Sequence, residues 1–240
     1  MTMLTVAYGS NVDPAQMAAR CPGAQVRGEV ELRGFLPSFG GPSRLRGGGV
    51  ATLVQGEGSV RAVVWEVPSL DELDRLEGHP TFYERQLWPQ GHIYLLRSEV
   101  TPLAPSPAYL DQVVRAHRGR GWDTSAWEEA ARGLPAALIF VYGSLRRGGR
   151  WHHVLDGSRF VGLGRTRAEW TLVPVGPYPG LVPGSESIEG ELFLVSAEVL
   201  AVVDRLEEHP HLYRRTVLRL EDGRPCEAYR FNTASTPSQE

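Results

Sequence analysis

Short apolar runs alternate with Gly- and Pro-rich turns along this chain, and the same order of runs occurs twice. Leu4–Ala7 is a short apolar run that stops at Tyr8-Gly9-Ser10-Asn11. Asp13-Pro14 then opens AQMAARCPG, where Asp can cap the free amides of a helix and Pro suits its first turn. The pattern predicts strand, tight Gly turn, helix. In the second half ALIFV at 137–141 is the strand and Tyr142-Gly143-Ser144-Leu145 the turn, followed by RRGGRWHHVL, a poorer helix.

Beyond each turn the first half carries a Gly-rich segment, Gly40 to Gly49, read as a loop, and then VATLV and SVRAVVWEV, read as two strands from their β-branched residues. LVPVGPYPGLVPG and SIEGELFLV hold the corresponding places in the second half. A short amphipathic helix comes next in both, SLDELDRLEGHP and SAEVLAVVDRLEEHP, each with Ser at its cap and Leu or Val at helical spacing. A strand rich in Tyr and Arg comes next in each half, FYERQLWPQGHIYLL or LYRRTVLRLEDGRPCEAYRFN. Only the first half continues, with a Pro-rich lead and helices from about Ala108 and Ser125. These elements predict two mixed α and β domains over residues 1–134 and 135–233, and a disordered tail over 234–240.

The sharpest sign of duplication is a thirteen-residue phrase, LDRLEGHPTFYER at 73–85 and VDRLEEHPHLYRR at 203–215, with eight identical positions. Tyr8 precedes Glu77 by 69 residues and Tyr142 precedes Glu207 by 65, so the distance from turn to Glu is nearly kept. Units this long speak for a duplicated domain and against a solenoid.

Composition narrows the chemistry. The chain has 240 residues, 42% hydrophobic and 22% charged, enough for two small cores. Its net charge of -3 is spread without a basic face, which argues against nucleic acid as partner. All 25 basic residues are Arg, so a phosphate-loop lysine, a pyridoxal Schiff base and a lysine general base are excluded. Cys21 and Cys226 lie far apart, which offers neither a disulfide framework nor a CxxC pair. No segment has the character of a signal peptide or membrane span, and a cytoplasmic location is the expectation.

Two features could carry chemistry. At the strand-to-YGS bend, Gly can adopt positive φ or permit close approach, and the following amides can converge on an anion such as a carboxylate; a plain turn is the alternative. Glu77 and Glu207 stand near helix C-termini, where the helix dipole favours cations, so helix stability does not account for them. Each is either a partner for a neighbouring Arg such as Arg75 or Arg85, or a catalytic carboxylate. Ser10 and Ser144 lack the GxSxG elbow of a serine hydrolase, and the seven His form no metal motif, with His79 and His209 read as turn or packing residues.

VAYGSNVDPAQMAARCPGA, GGGVATLV, VVWEVPSLDELDRLEGHPTFYER, IYLL and PLAPSPAYLDQVV, in that order, resemble γ-glutamylcyclotransferases. FVYGSLRRGGRWHHVL, LVPVGPYPGLVPG, IEGELFLV, VDRLEEHPHLYRR and EAYRFN resemble the shorter γ-glutamylamine-cyclotransferase-like members of the same superfamily. The resemblance implies an α+β fold of two tandem mixed β-barrel or roll domains with flanking helices. It also implies an enzyme that releases 5-oxoproline from a small γ-glutamyl substrate without cofactor or metal. Residue by residue it implies Glu77 and Glu207 as the catalytic carboxylates. Tyr8, Gly9, Ser10 and Asn11, with Tyr142, Gly143, Ser144 and Leu145, take the substrate-loop positions; Tyr94 and Tyr229 flank the pocket, and Tyr109 of the longer first half reaches the substrate. Glu208 replaces the Gly that follows the catalytic Glu, so the first half is expected to be the stronger site. A pocket that binds metabolites without turnover, or another amide-bond hydrolase or transferase on this fold, are the rival readings.

Overall fold

A computed structural model describes residues 2–43, 45–98 and 100–235. The chain divides into two compact units, one of residues 1–40 and 49–133, the other of residues 41–48 and 134–240. Most of the expected tail lies outside the described residues; Thr233–Ser235 form one 3-10 turn.

The first unit opens with β1 (Met3–Ala7) and a 3-10 turn at Ser10–Val12, followed by α1 (Pro14–Arg20). The Asp13 carboxylate accepts from the amides of Ala15 and Gln16, so the predicted cap is made. Two long strands follow, β2 (Gln25–Ser43) and β3 (Gly48–Val67). Here the structure corrects the sequence reading. VATLV and SVRAVVWEV are one continuous strand, QVRGEVELRGFLPS is a strand that no prediction covered, and most of the supposed Gly-rich loop belongs to strands.

Close approach explains those glycines: a Cβ on Gly49 would fall 2.0 Å from the Leu103 carbonyl oxygen, and one on Gly40 3.2 Å from that of Thr101. Only a residue without a side chain lets the 101–104 segment lie this near, where Gly49 N–H donates to Ala104 O at 2.8 Å. The unit then runs through α2 (Asp71–Glu77), β4 (Tyr83–Trp88), β5 (Gly91–Leu96) and β6 (Thr101–Pro102) to α3 (Pro107–Arg118) and α4 (Ser125–Ala131). Ser69 accepts from the amide of Asp71 but is not the cap of α2, which is Leu70.

The second unit repeats the plan with shorter strands. It comprises β7 (Ala137–Val141), a 3-10 turn at His152–Leu155, β8 (Arg159–Arg165), β9 (Trp170–Val175), β10 (Tyr178–Pro183), β11 (Glu189–Val195), α5 (Ala197–Leu206), β12 (Tyr213–Arg219) and β13 (Pro225–Phe231). Ser196 caps α5 by accepting from Val199 N–H at 3.3 Å. In each unit the Tyr- and Arg-rich region is a hairpin, β4–β5 or β12–β13, and not the single strand expected.

Both sheets are mixed, ordered β4-β5-β1-β3-β2-β6 and β8-β11-β7-β13-β10-β9, so the fold is α+β. β1 lies antiparallel to β3 and parallel to β5, and β7 lies antiparallel to β11 and parallel to β13. The strand that ends in each YGS bend is therefore central, which accounts for the unbroken apolar character of ALIFV, all five residues buried. Val203 of α5 is fully buried in the second unit's core, and Leu73 of α2 is buried in the first. Packing these apolar faces on the sheet fixes where each helix ends, and with it the Glu.

Candidate active sites

The identical positions of the repeated phrase build one brace in each unit. Asp74 accepts from the Tyr94 hydroxyl at 2.7 Å and pairs with Arg85 at 2.5 Å. Asp204 accepts from the Tyr229 hydroxyl at 2.6 Å and pairs with Arg215 at 2.9 Å. His79 Nδ1 accepts from Arg85 N–H at 3.1 Å and His209 Nδ1 from Arg215 N–H at 3.2 Å, which makes both His turn residues. Tyr83 and Tyr213 donate to the carbonyls of Ala51 and Pro179, at 2.5 and 3.4 Å.

Within this brace α2 ends in Gly78 at φ 65°, with His79 N–H bonded back to Asp74 O at 2.9 Å, a left-handed helix stop. α5 ends the same way, with Glu208 at φ 50° in the position of Gly78 and His209 N–H on Asp204 O at 2.8 Å. The stop holds the backbone of Glu77 and Glu207 where the helix meets the sheet.

The YGS bends are tethered from behind. The Tyr8 hydroxyl donates to Tyr94 O, and the Tyr142 hydroxyl donates to Tyr229 O at 2.6 Å. Both tyrosines thus serve the bend's position through the central strand's parallel neighbour. The glycines of the bends work by close approach and not by positive φ: Gly9 has φ -96°, and Gly143 is not among the positive-φ glycines. A Cβ on Gly9 would meet Ala51 Cβ at 3.0 Å, and one on Gly143 would meet Pro179 Cγ at 2.9 Å. The α1 N-terminus does not face an open anion site, because Asp13 already caps it.

Around Glu77 the first unit supplies donors. Asn11 Nδ2 donates to Glu77 Oε1 at 3.2 Å and Arg20 Nη1 reaches the same oxygen at 3.1 Å. Gln16 Nε2 donates to Asn11 Oδ1 at 2.7 Å and to Ser10 Oγ at 2.6 Å, and Gln112 of α3 donates to Gln16. This chain of amides orients Asn11 so that its NH2 group faces the carboxylate. The partners anticipated for Glu77 are engaged elsewhere, Arg75 with Glu72 and Arg85 with Asp74. Tyr109 accepts from Ala51 N–H at 3.3 Å and lies beside Gly9. Burial pushes the Tyr8 phenol well up; a bond to Thr52 opposes this, and the nearby Glu77 and Tyr109 add to it. His117 of α3 braces the Tyr8 carbonyl at 2.9 Å, and its burial lowers the ring to about 4.

Around Glu207 the second unit supplies none. Leu145 occupies the position of Asn11 and is buried in the core, so the loop offers no side-chain donor there. Arg215, the Arg of the phrase, is spent on Asp204 and Glu227. No hydrogen bond or ion pair to the Glu207 carboxylate is made among the described residues, and burial pushes it up to about 7. All six predicted positions of this unit, Tyr142, Gly143, Ser144, Leu145, Glu207 and Tyr229, line one cavity of about 270 Å³. Trp151, Tyr178 and Tyr213 complete its aromatic wall, and the Trp151 indole N–H donates to the Tyr178 hydroxyl at 3.3 Å.

The sequence reading names neither Arg20 and Gln16 nor the Asp and the Tyr of the phrase, Asp74 and Tyr83 or Asp204 and Tyr213. The last two are identical in both copies, which was the available signal; Arg20 and Gln16 have none, because their helix occurs once.

Two braced bends, each with a carboxylate at a helix stop on a mixed sheet, define an α+β fold built twice on one plan. A family model described as "Gamma-glutamyl cyclotransferase, AIG2-like" matches residues 6–108 and again 139–240, and the chain belongs to that family, an enzyme family, with two copies of its domain. The chain is similar to the human gamma-glutamylaminecyclotransferase, 44% identical over 102 residues that cover 37% of this chain and 67% of the human one. It is also similar to gamma-glutamylaminecyclotransferase A of Danio rerio, 33% identical over 118 residues, 42% of this chain and 73% of that one. A solved structure titled "Gamma-glutamyl cyclotransferase" overlays at a TM-score of 0.47 with 25% identity, covering 57% of this chain and 89% of its own. Among the described residues no helix is long and apolar enough to cross a membrane.

Proposed function

We propose that the chain releases 5-oxoproline from γ-glutamyl compounds, and that Glu207 of the second unit is its principal general acid–base. One observation carries this reading: an unpaired carboxylate, raised by burial to about 7, lines the same cavity as the YGS bend. A group poised near neutrality can both take and return a proton at working pH.

In the reaction Glu207 takes a proton from the substrate's α-ammonium group. The freed amine nitrogen attacks its own γ-carbonyl carbon, closing a five-membered lactam. The bond from that carbon to the leaving nitrogen breaks as that nitrogen takes the first proton back from Glu207, and the ring nitrogen gives up its second proton to the regenerated carboxylate, which passes it to the departing amine or to water. Nucleophile and electrophile belong to one molecule, so a pocket that holds them in contact supplies much of the rate, roughly 7 kcal/mol or more where alignment is good. The amides of Ser144 and Leu145 donate to no acceptor among the described residues and line the cavity, so they suit the substrate carboxylate or the developing oxyanion.

The first unit is the weaker site on this reading. Its Glu77 already accepts from Asn11 and Arg20, and a carboxylate stabilised by a cation is a poorer base. This reverses the ranking expected from the Gly78-to-Glu208 difference alone, since Glu208 is exposed and does not claim Glu207 by hydrogen bond. Incubation of the full chain with γ-glutamyl amino acids, γ-glutamyl amines and glutathione, with 5-oxoproline as readout, tests the reading. Formation from at least one class, abolished by the Glu77→Gln/Glu207→Gln double variant, is expected. Absence of product from every class, or product that survives the double variant, overturns it.

A further inference from the structure

The cavity of the second unit has a charge pattern that its proposed chemistry does not require. Glu207 and Glu208 are the charged side chains among its described lining residues, and neither Arg nor His contributes to the wall. The nearby Arg147 and Arg215 are turned to Glu191 and to Asp204 with Glu227. The remaining wall is largely aromatic and aliphatic, with Trp151, Tyr178, Leu206, Leu212 and Tyr213. Glu208 is exposed while still lining the cavity, which puts it at the mouth, beyond the reacting centre.

Its backbone sharpens the point. Glu208 is the one non-Gly residue with positive φ among the described residues, at a helix stop that the first unit fills with Gly78. The left-handed conformation disfavours a side chain, so an acidic side chain here is a costly occupant of a position that Gly serves without strain.

A γ-glutamyl compound bound with its glutamyl end between the bend and Glu207 must send its leaving amine outward past Glu208. We infer that Glu208 is a specificity-determining residue of the second pocket, which favours γ-glutamyl amides of amines that carry a second, cationic group, such as aliphatic diamines and polyamines. The inference rests on the cyclotransferase reading of this pocket. The aromatic wall receives the methylene chain, Glu208 meets the distal ammonium, and a distal carboxylate is repelled by Glu208, the Arg150 guanidinium that stacks 5.1 Å from the Trp151 ring not being itself a lining residue.

Three γ-glutamyl amides of nearly equal length test this, made from 1,4-diaminobutane, n-pentylamine and 5-aminopentanoate, whose distal groups are cationic, neutral and anionic. They are assayed with the full-length Glu77→Gln variant, so that the second pocket is read alone. The diamine derivative is expected to show the highest kcat/KM, about three- to fivefold above the pentylamide, as an exposed charge pair gives. The difference should reside in KM and shrink in high salt. Glu208→Gln should bring the two together, and Glu208→Arg should turn the preference toward the anionic compound.

Equal turnover of the three compounds, or a preference that both Glu208 variants retain, overturns the inference and leaves the cyclotransferase reading standing. No 5-oxoproline from any of the three overturns that reading for this pocket, and the inference with it.

Discussion

The two YGS loops differ at their fourth residue, and the difference decides how each Glu is held. Asn11 donates an amide hydrogen to Glu77, whereas Leu145 turns into the core and leaves Glu207 without a donor. The helix that follows the first loop adds Arg20; the 3-10 turn that follows the second places no basic side chain in the cavity wall. Closely similar phrases on related folds therefore present one paired carboxylate and one raised by burial. A base is made reactive as much by what is withheld from it as by what surrounds it.

The comparison breaks most simply at the carboxylates. Glu207→Gln is expected to lower 5-oxoproline formation by about 100-fold or more on the second pocket's best substrate, the usual worth of a general acid–base. Glu77→Gln should cost far less on that substrate. A larger loss from Glu77→Gln, in steady-state kinetics of the two variants side by side, would invert the ranking. In the wild-type chain kcat/KM should rise with pH through about 7 as Glu207 loses its proton. Tyr142, Tyr213 and Tyr229 adjoin the carboxylate but are themselves pushed up by burial, so they stay neutral across this range.

Stability gives the next test. The native Glu207 carboxyl holds its proton up to about 7, against an ordinary value of 4.5, so the folded state binds more proton than the unfolded one between those limits. Stability must then fall as pH rises across that window, by roughly 2–3 kcal/mol for a shift of this size after allowance for partial exposure. Glu207→Gln, neutral throughout, should be more stable than wild type at pH 8 by about that amount and equal to it near pH 4 in denaturant titrations. An advantage that does not depend on pH would mean that Glu207 is not destabilised by its charge.

Smaller effects sharpen the contrast. Tyr109→Phe removes the acceptor for the buried Ala51 amide and should destabilise the first unit by about 1–3 kcal/mol, without changing the pH profile of the second pocket. Leu145→Asn supplies Glu207 with the donor that Glu77 has, and the acidic limb of the second pocket should move below pH 7. Glu208→Gly should stabilise the helix stop by roughly 1 kcal/mol, since Gly adopts the left-handed conformation without strain.

How much of this was legible beforehand follows from which signals are local. Helix starts such as Asp13-Pro14 and Ser196 announce themselves through capping chemistry, and α3 and α4 begin where the sequence places them. The glycines at 40 and 49 misled, because a loop composition and a strand under close approach look alike until the opposing chain is known. Of the two freedoms that the sequence offers at Gly9, positive φ and close approach, the bend uses the second alone. The candidate site was readable as far as the repeat reached. Comparing the two copies exposes Glu77 with Glu207 and Tyr8 with Tyr142, and the family resemblance adds Tyr94, Tyr229 and Tyr109, but a residue in only one copy and outside those motif positions, such as Arg20, leaves no echo. The Asn11–Leu145 difference was visible in the letters; its consequence was not, because that depends on what a side chain 66 residues away requires.

The Asp74 and Asp204 braces have a consequence for turnover. Each anchors its helix stop through a tyrosine hydroxyl and a guanidinium, and neither bond involves the neighbouring Glu. A hydrogen ion can thus arrive at Glu207 and depart again while the surrounding backbone stays where it is. On the proposed reaction, the site would cycle without rebuilding its own frame on every round.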